Sequence, residues 1–192
     1  RLDYTKGLRH RLKAYGELLA DGDLTVGEAC LVQVASPSRE NVERYAQLKD
    51  QVELMVGSLN GEHDTMGHTA VRYLHHSYPL REMIALYLAA DIMLVTSLRD
   101  GMNLVAKEFV AAHTDGRGML VLSEFTGAAD QLTQSVLVNP HDIDGMKSGI
   151  LRAVRMDPSE ATKRMRRMRK HLQEHDVSKW SETFLTALAL PL

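Results

Sequence analysis

Short apolar runs alternate along this chain with longer stretches of helical period, and few folds accommodate that order. The runs have the length of β-strands, and the stretches between them gather apolar residues on one side of a helix. This order is typical of a parallel sheet that helices cover on both faces. The predicted strands span residues 29–35, 70–75, 90–96, 119–123 and 135–139. The predicted helices between them span residues 7–20, 38–60, 80–89, 103–113 and 128–134.

The chain after Asn139 has a wholly helical pattern, which predicts helices over residues 142–156, 158–175 and 178–190. We therefore predict an α/β fold with an open, doubly wound parallel sheet and a helical C-terminal tail. Ser38 stands where its side chain would cap the helix after Pro37. Trp180, the single tryptophan, is expected to anchor the last helix in the core.

The composition favours one domain without an internal disulfide or a membrane span. The chain has 192 residues, 44% of them hydrophobic, which is enough for one substantial core, so we expect a single domain over residues 1–192. The single cysteine, Cys30, excludes an internal disulfide. No apolar run reaches the ~18 residues of a membrane span, and the start does not resemble a signal peptide. We expect a cytoplasmic protein.

One basic segment, between Lys163 and Lys170, raises the question of nucleic-acid binding. The same segment carries apolar residues at helical spacing, at positions 161, 165, 168 and 172. Its charges therefore form the solvated side of a packed helix. The segment lacks interleaved aromatic residues and the formal net charge of the chain is −2, so we expect no nucleic-acid partner.

The loop after the third predicted strand, Arg-Asp-Gly-Met-Asn, leads directly into a predicted helix. In open α/β sheets, ligands bind where strands end and helices begin. Gly101 allows a close approach to the backbone, and the free N–H groups of the next helix suit a phosphate. Glu108, one turn further on, could accept hydrogen bonds from a ribose diol. From these residues alone, an ordinary turn in which Asp100 caps the helix fits equally well.

A second segment, Arg-Leu-Asp-Tyr-Thr-Lys-Gly at the start of the chain, supplies two cations, Arg1 and Lys6. A planar guanidinium and a compact ammonium together suit a pyrophosphate group. Taken alone, the segment is better explained as a surface loop that carries two solvated charges.

Taken together, "RLDYTKG", "SPSRENVERY", "SLRDGMNLVAKEFVAA" and "GAADQLTQSVLVNPHD" resemble the trehalose-6-phosphate synthases, in order and in separation. The resemblance covers nearly the whole chain, with a loose match over the last two helices. These synthases are retaining glycosyltransferases of the GT-B architecture. The resemblance implies that this chain is the Rossmann-like, C-terminal donor-binding half of such an enzyme. That half would start shortly before Arg1, and the N-terminal acceptor domain has no counterpart here, so we expect a fragment.

The resemblance also implies roles for individual residues. Arg1 and Lys6 would grip the donor diphosphate, and Asp100 would hold the donor glucose, so these three would carry the catalysis. The donor is further held by the residues after Asp100, which are Gly101, Met102, Asn103 and Leu104.

The remaining implied roles concern the nucleoside and the acceptor. Glu108 would bind the ribose hydroxyls, and Arg39 the phosphate of glucose 6-phosphate. Tyr78 would flank the base in a slot that Val34 and Val105 line. The sequence offers no metal-ligand spacing such as His-Glu-x-x-His, and we expect no cofactor.

The implied function is transfer of glucose from UDP-glucose or ADP-glucose to glucose 6-phosphate with retention, a step of trehalose biosynthesis. Because the acceptor half has no counterpart, we expect little transfer by the isolated chain. Two alternatives stay open: a non-catalytic module that binds nucleotide-sugars, and another GT-B glycosyltransferase. The preferred base and a homo-oligomeric state also stay open.

Overall fold

The computed structural model describes residues 1–38 and 42–189. Its five strands are β1 (Leu31–Val34), β2 (Val71–Leu74), β3 (Ile92–Val95), β4 (Met119–Ser123) and β5 (Val136–Val138). Its helices in the first half are α1 (Leu8–Ala20), α2 (Glu43–His63), α3 (Leu80–Ala89) and α4 (Leu104–Ala112). Those in the second half are α5 (Ile143–Val154), α6 (Pro158–Glu174) and α7 (Val177–Ala189). Short 3₁₀ turns cover Tyr4–Lys6 and Gly127–Asp130.

All five predicted strands and seven of the eight predicted helices are present, so the predicted α/β order is confirmed. The helix predicted over residues 128–134 is wrong, because this segment forms only the 3₁₀ turn Gly127–Asp130 before the chain enters β5. The predicted cap at Ser38 is also wrong. Helix α2 begins at Glu43 after Val42, which has an extended backbone and no side-chain oxygen to bond the first turn.

The strands form two parallel hydrogen-bonded sheets rather than one. β1 pairs with β2, with Val34 opposite Leu74, and β4 lies between β3 and β5, with Val121 opposite Val136. No ladder joins β1 to β3 in the ranges 1–38 and 42–189. The segment Leu2–Thr5 lies between the ends of these two strands. The N–H of Leu2 donates to the Ser36 carbonyl at 2.8 Å, and the Leu98 N–H donates to the Thr5 carbonyl at 2.8 Å.

Strand β4 shows how helices cover both faces of the sheet. All five of its residues are buried, and their side chains alternate between two hydrophobic cores. Met119 and Val121 join the core built with α1, α2 and α5. Leu120 and Leu122 join the core built with α3, α4 and α6. A strand buried on both faces is what the unbroken apolar run of β4 predicts.

The last helix, α7, has no buried residue, which contradicts the predicted core role of Trp180. The Trp180 side chain is 64% exposed and stacks on Phe184 with 5.4 Å between ring centroids. Leu185 and Leu188 extend the same exposed apolar stripe. Helix α7 therefore adds nothing to either core. Within the described ranges, none of the helices is long and apolar enough to span a membrane.

Candidate functional site

The site begins with the turn that presents Lys6. Asp3 accepts hydrogen bonds from the backbone N–H of Thr5 at 2.9 Å and from its hydroxyl at 2.8 Å, which caps the 3₁₀ turn Tyr4–Lys6. Gly7 ends that turn in the left-handed region, with φ of 66°. The local sequence, Asp-Tyr-Thr-Lys-Gly, therefore favours the conformation of this turn.

Two glycines allow the loops of the site to approach one another closely. A Cβ atom on Gly7 would lie 2.1 Å from the Thr96 carbonyl oxygen at the end of β3. A Cβ atom on Gly127 would lie 2.2 Å from the carbonyl oxygen of Gly101. Glycine at both positions lets the Lys6 turn, the loop after β3 and the loop after β4 meet at the carboxyl ends of the strands.

Lys6 and Asp100 form the centre of the site. Lys6 Nζ lies 2.7 Å from Asp100 Oδ2, and the Asn103 side-chain amide donates to the same oxygen at 3.0 Å. Burial raises the pKa of the Asp100 carboxyl, but the hydrogen bonds from Lys6, Asn103 and the Met102 backbone outweigh it, so the pKa lies below its ordinary value. Asp100 is therefore an ionised acceptor at neutral pH, held beside a cation.

Asn103 links this centre to the start of helix α4. It caps the helix, because its side-chain oxygen accepts from the Ala106 N–H at 2.9 Å, and it adopts φ of 70°, the left-handed region that asparagine tolerates. Through Asn103, the N-terminal end of α4 therefore lies next to the Lys6–Asp100 pair. Met102 and Leu104 flank this end with exposed apolar side chains.

Arg1 lies in the same region as Lys6. The N–H of Leu2, the next residue, donates to the Ser36 carbonyl at 2.8 Å, so Arg1 lies near the end of β1. The Arg1 side chain is exposed there.

Glu108 is exposed on α4, and Tyr87 of α3 holds it in place. The Tyr87 hydroxyl donates to Glu108 Oε2 at 2.9 Å. Burial of Tyr87 and this bond raise the pKa of the Tyr87 phenol well above its ordinary value. Glu108 lies about one turn after the start of α4, and its carboxylate bonds Tyr87 and not the Lys6–Asp100 pair.

The three residues predicted to line a slot for the base come from separate elements. Val34 ends β1 and pairs with Leu74, which brings the loop that carries Tyr78 beside it. The Tyr78 ring lies 3.9 Å, between centroids, from the ring of His76. Val105 is 39% exposed in the first turn of α4. Arg39, predicted for the acceptor phosphate, lies outside the described residues.

Two polar side chains of the site were missed from the sequence, Tyr87 and Arg11. Arg11 occupies the apolar side of α1, between Leu8 and Leu12, where a charged residue is out of place. That departure from the helical pattern was the available signal. Tyr87 gave none, because a tyrosine on a buried helix face is ordinary. Among residues 1–38 and 42–189, no group of three or more His, Cys, Asp or Glu could hold a metal ion.

Comparison with known proteins gives one consistent family. The profile of Glycosyltransferase family 20 matches residues 1–190. Trehalose-6-phosphate synthases of Mycobacterium avium and Mycobacterium leprae are 53% and 54% identical to this chain over 189 residues. The match covers 98% of this chain and 38% of each relative, so the chain spans about two-fifths of their length.

Solved structures agree with this result. A structure described as trehalose-6-phosphate from E. coli bound with UDP-2-fluoro glucose superposes with a TM-score of 0.94 at 38% identity, over 100% of this chain and 43% of that chain. An alpha,alpha-trehalose-phosphate synthase from Burkholderia xenovorans, in complex with glucose-6-phosphate, gives a TM-score of 0.93 at 40% identity. That match covers 98% of this chain and 42% of the other.

Proposed function

Because the chain belongs to glycosyltransferase family 20, we propose that it is the donor-binding part of a trehalose-6-phosphate synthase. The proposed reaction moves glucose from UDP-glucose or ADP-glucose to glucose 6-phosphate with retention. The chain spans 38% of its mycobacterial relatives, so the acceptor-binding part is proposed to lie in the remaining portion of such a protein. We propose a cytoplasmic location, where these phosphorylated sugars occur.

The observation that supports this proposal most is the contact between Lys6 and Asp100 at the N-terminal end of α4. A nucleotide-sugar needs a cation and N–H donors for its diphosphate, and an acceptor for its sugar hydroxyls. The contact joins two of these groups at 2.7 Å, and Asn103 lies between them and the helix. An ordinary surface loop needs neither of these contacts.

The proposed chemistry is electrostatic. When the bond between the sugar and the diphosphate breaks, negative charge develops on the departing diphosphate. Lys6, Arg1 and the first N–H groups of α4 stabilise that charge, which lowers the barrier. The hydroxyl of the acceptor attacks the same face of the glucose and passes its proton to an oxygen of the departing diphosphate. Asp100 accepts hydrogen bonds from the glucose hydroxyls and fixes the position of the glucose.

The nucleoside is proposed to lie further along α4. Glu108 accepts hydrogen bonds from the ribose hydroxyls, and the Tyr87 hydroxyl keeps its carboxylate in one orientation. Tyr78, Val34 and Val105 provide apolar surface for the base. Arg39 is proposed to bind the phosphate of the acceptor.

Calorimetry with UDP and ADP tests the donor site in this chain. Lys6→Met is expected to weaken UDP binding by about 1.5–3 kcal/mol, the usual value of a charge-assisted hydrogen bond. Lys13→Met, on the exposed side of α1, is the matched control and should bind like the wild type. Glu108→Gln should weaken UDP binding more than pyrophosphate binding. An equal loss of affinity for both ligands would show that Glu108 does not bind the ribose.

A chimera tests the reaction. In it, this chain replaces the matching segment of the Mycobacterium avium relative, and production of trehalose 6-phosphate from UDP-glucose or ADP-glucose is measured. We expect transfer by the chimera and little by this chain alone. An inactive chimera that still binds UDP would favour a binding module over a transferase, and a product other than trehalose phosphate would favour another GT-B activity.

A further inference from the structure

Arg11 is bonded to three separate parts of the fold. Its Nη1 donates to Gln33 Oε1 at 2.8 Å, its Nε donates to Thr96 Oγ1 at 3.1 Å, and its Nη2 donates to the Lys6 carbonyl at 3.3 Å. Gln33 belongs to β1, and Thr96 follows β3. The guanidinium of Arg11 thus joins the two sheets and the Lys6 turn at one point.

The partners of Arg11 are all neutral. Gln33 and Thr96 are 5% and 0% exposed, and neither carries a charge. None of the ion pairs within residues 1–38 and 42–189 includes Arg11. Burial lowers the pKa of Arg11 to about 10, so the group stays charged at neutral pH. A positive charge in this setting is costly unless an anion compensates it.

The contacts of Arg11 also set the position of Lys6. The guanidinium holds the carbonyl of Lys6 itself, and it holds the hydroxyl of Thr96, whose carbonyl lies against Gly7. The Gln33 side chain is fixed in turn, because its amide donates to the Val34 carbonyl at 2.9 Å. The Arg11 guanidinium therefore holds the backbone of the turn, while the side chain of Lys6 contacts Asp100.

We propose that Arg11 is a positioning residue for the diphosphate of the donor. It holds the Lys6 turn in place, and its charge, which pairs with no carboxylate of the described residues, adds to the positive potential at the anion site. The compensating anion is then the diphosphate of a nucleoside diphosphate or nucleotide-sugar, which arrives with the ligand. This inference rests on the proposed donor site, and it adds a residue that does not itself touch the ligand.

Binding of UDP and of uridine to Arg11→Met and Arg11→Lys tests the proposal. Arg11→Met is expected to weaken UDP binding roughly three- to tenfold, as the Coulomb energy of a partly screened charge allows, and to leave uridine binding within about twofold. Arg11→Lys keeps the charge and should recover part of the UDP affinity. Arg9→Met, exposed on the same helix, is the control and should bind both ligands like the wild type.

The outcomes separate this inference from the proposed function. Equal loss of UDP and uridine binding in Arg11→Met would show a merely structural role and would overturn the inference, as would unchanged UDP binding. If Arg11→Met does not fold, the ratio of UDP to uridine affinity in Arg11→Lys decides, and an unchanged ratio overturns the inference. A wild-type chain that binds neither UDP nor ADP would refute the proposed function, and this inference with it.

Discussion

Replacement of Gly7 by alanine is expected to destabilise the chain through two separable effects. Gly7 has φ of 66°, a conformation that costs an L-residue about 1–2 kcal/mol. The added Cβ would also lie 2.1 Å from the Thr96 carbonyl oxygen, where ordinary contact starts at 3.4 Å. Either the Lys6 turn or the end of β3 must then move by more than an ångström, which we expect to cost a further ~1–3 kcal/mol, as other overpacked sites do.

Gly22 provides a matched control. It has φ of 75°, but a Cβ there meets nothing within 4 Å, so Gly22→Ala isolates the conformational part. We expect Gly22→Ala to lower the free energy of unfolding by about 1–2 kcal/mol, and Gly7→Ala by about 2–5 kcal/mol.

Urea unfolding followed by far-UV circular dichroism measures the stability of both variants and the wild type. The slope of the free energy of unfolding against urea concentration should be the same for all three, which confirms that unfolding exposes the same surface. The contact between Gly7 and Thr96 would be refuted if the two losses agreed to within ~0.5 kcal/mol, the usual error of such differences. A larger loss of free energy of unfolding in Gly22→Ala than in Gly7→Ala would refute the argument that Gly7→Ala adds a steric effect to the conformational one.

Three further predictions concern the site and the last helix. The pKa of Asp100 lies below its ordinary value, since the bonds from Lys6 and Asn103 outweigh burial, so its ionised form contributes stability that is lost as the pH falls through the lower, folded pKa. As the pH falls through that range, the free energy of unfolding of Asp100→Asn should therefore decrease less than that of the wild type. Urea titrations at several pH values measure this, and the same pH dependence of the free energy of unfolding in both proteins would contradict it. Gly127→Ala should displace the Gly101 loop, whose carbonyl lies 2.2 Å from the added Cβ, and weaken UDP binding in calorimetry; unchanged affinity would mean that the loop is not part of the site. Trp180→Ser should change the free energy of unfolding by less than ~0.5 kcal/mol, because the side chain is 64% exposed, and a loss above ~2 kcal/mol would show that α7 is packed in solution.

The order of strands and helices could be predicted because burial leaves a local mark on the sequence. β4 is an unbroken apolar run since both of its faces are covered, and α1 repeats its apolar residues at helical spacing. The prediction failed where the same mark belongs to a short turn instead of a helix. Residues 128–134 carry apolar side chains at helical spacing, yet the chain turns early there to enter β5.

The candidate site could be predicted in part, because strand ends gather at one edge of a sheet. That rule, with the resemblance, selected Lys6 and Asp100, and the structure joins them. The contact between Tyr87 and Glu108 could not be predicted, since it depends on how α3 packs against α4. The two separate sheets and the Leu2–Thr5 segment between the ends of β1 and β3 could not be predicted either, since no local pattern reveals them.

The ion pair between Lys6 and Asp100 has a consequence for how the chain assembles. The two residues are 94 positions apart, and β1, β2 and β3 with their helices intervene. Contacts of such long range form slowly, because most of the intervening polypeptide must be ordered before they repay the lost entropy. Affinity for a nucleotide should therefore emerge late in refolding, after most helical signal has returned, and should disappear early when the chain is progressively denatured.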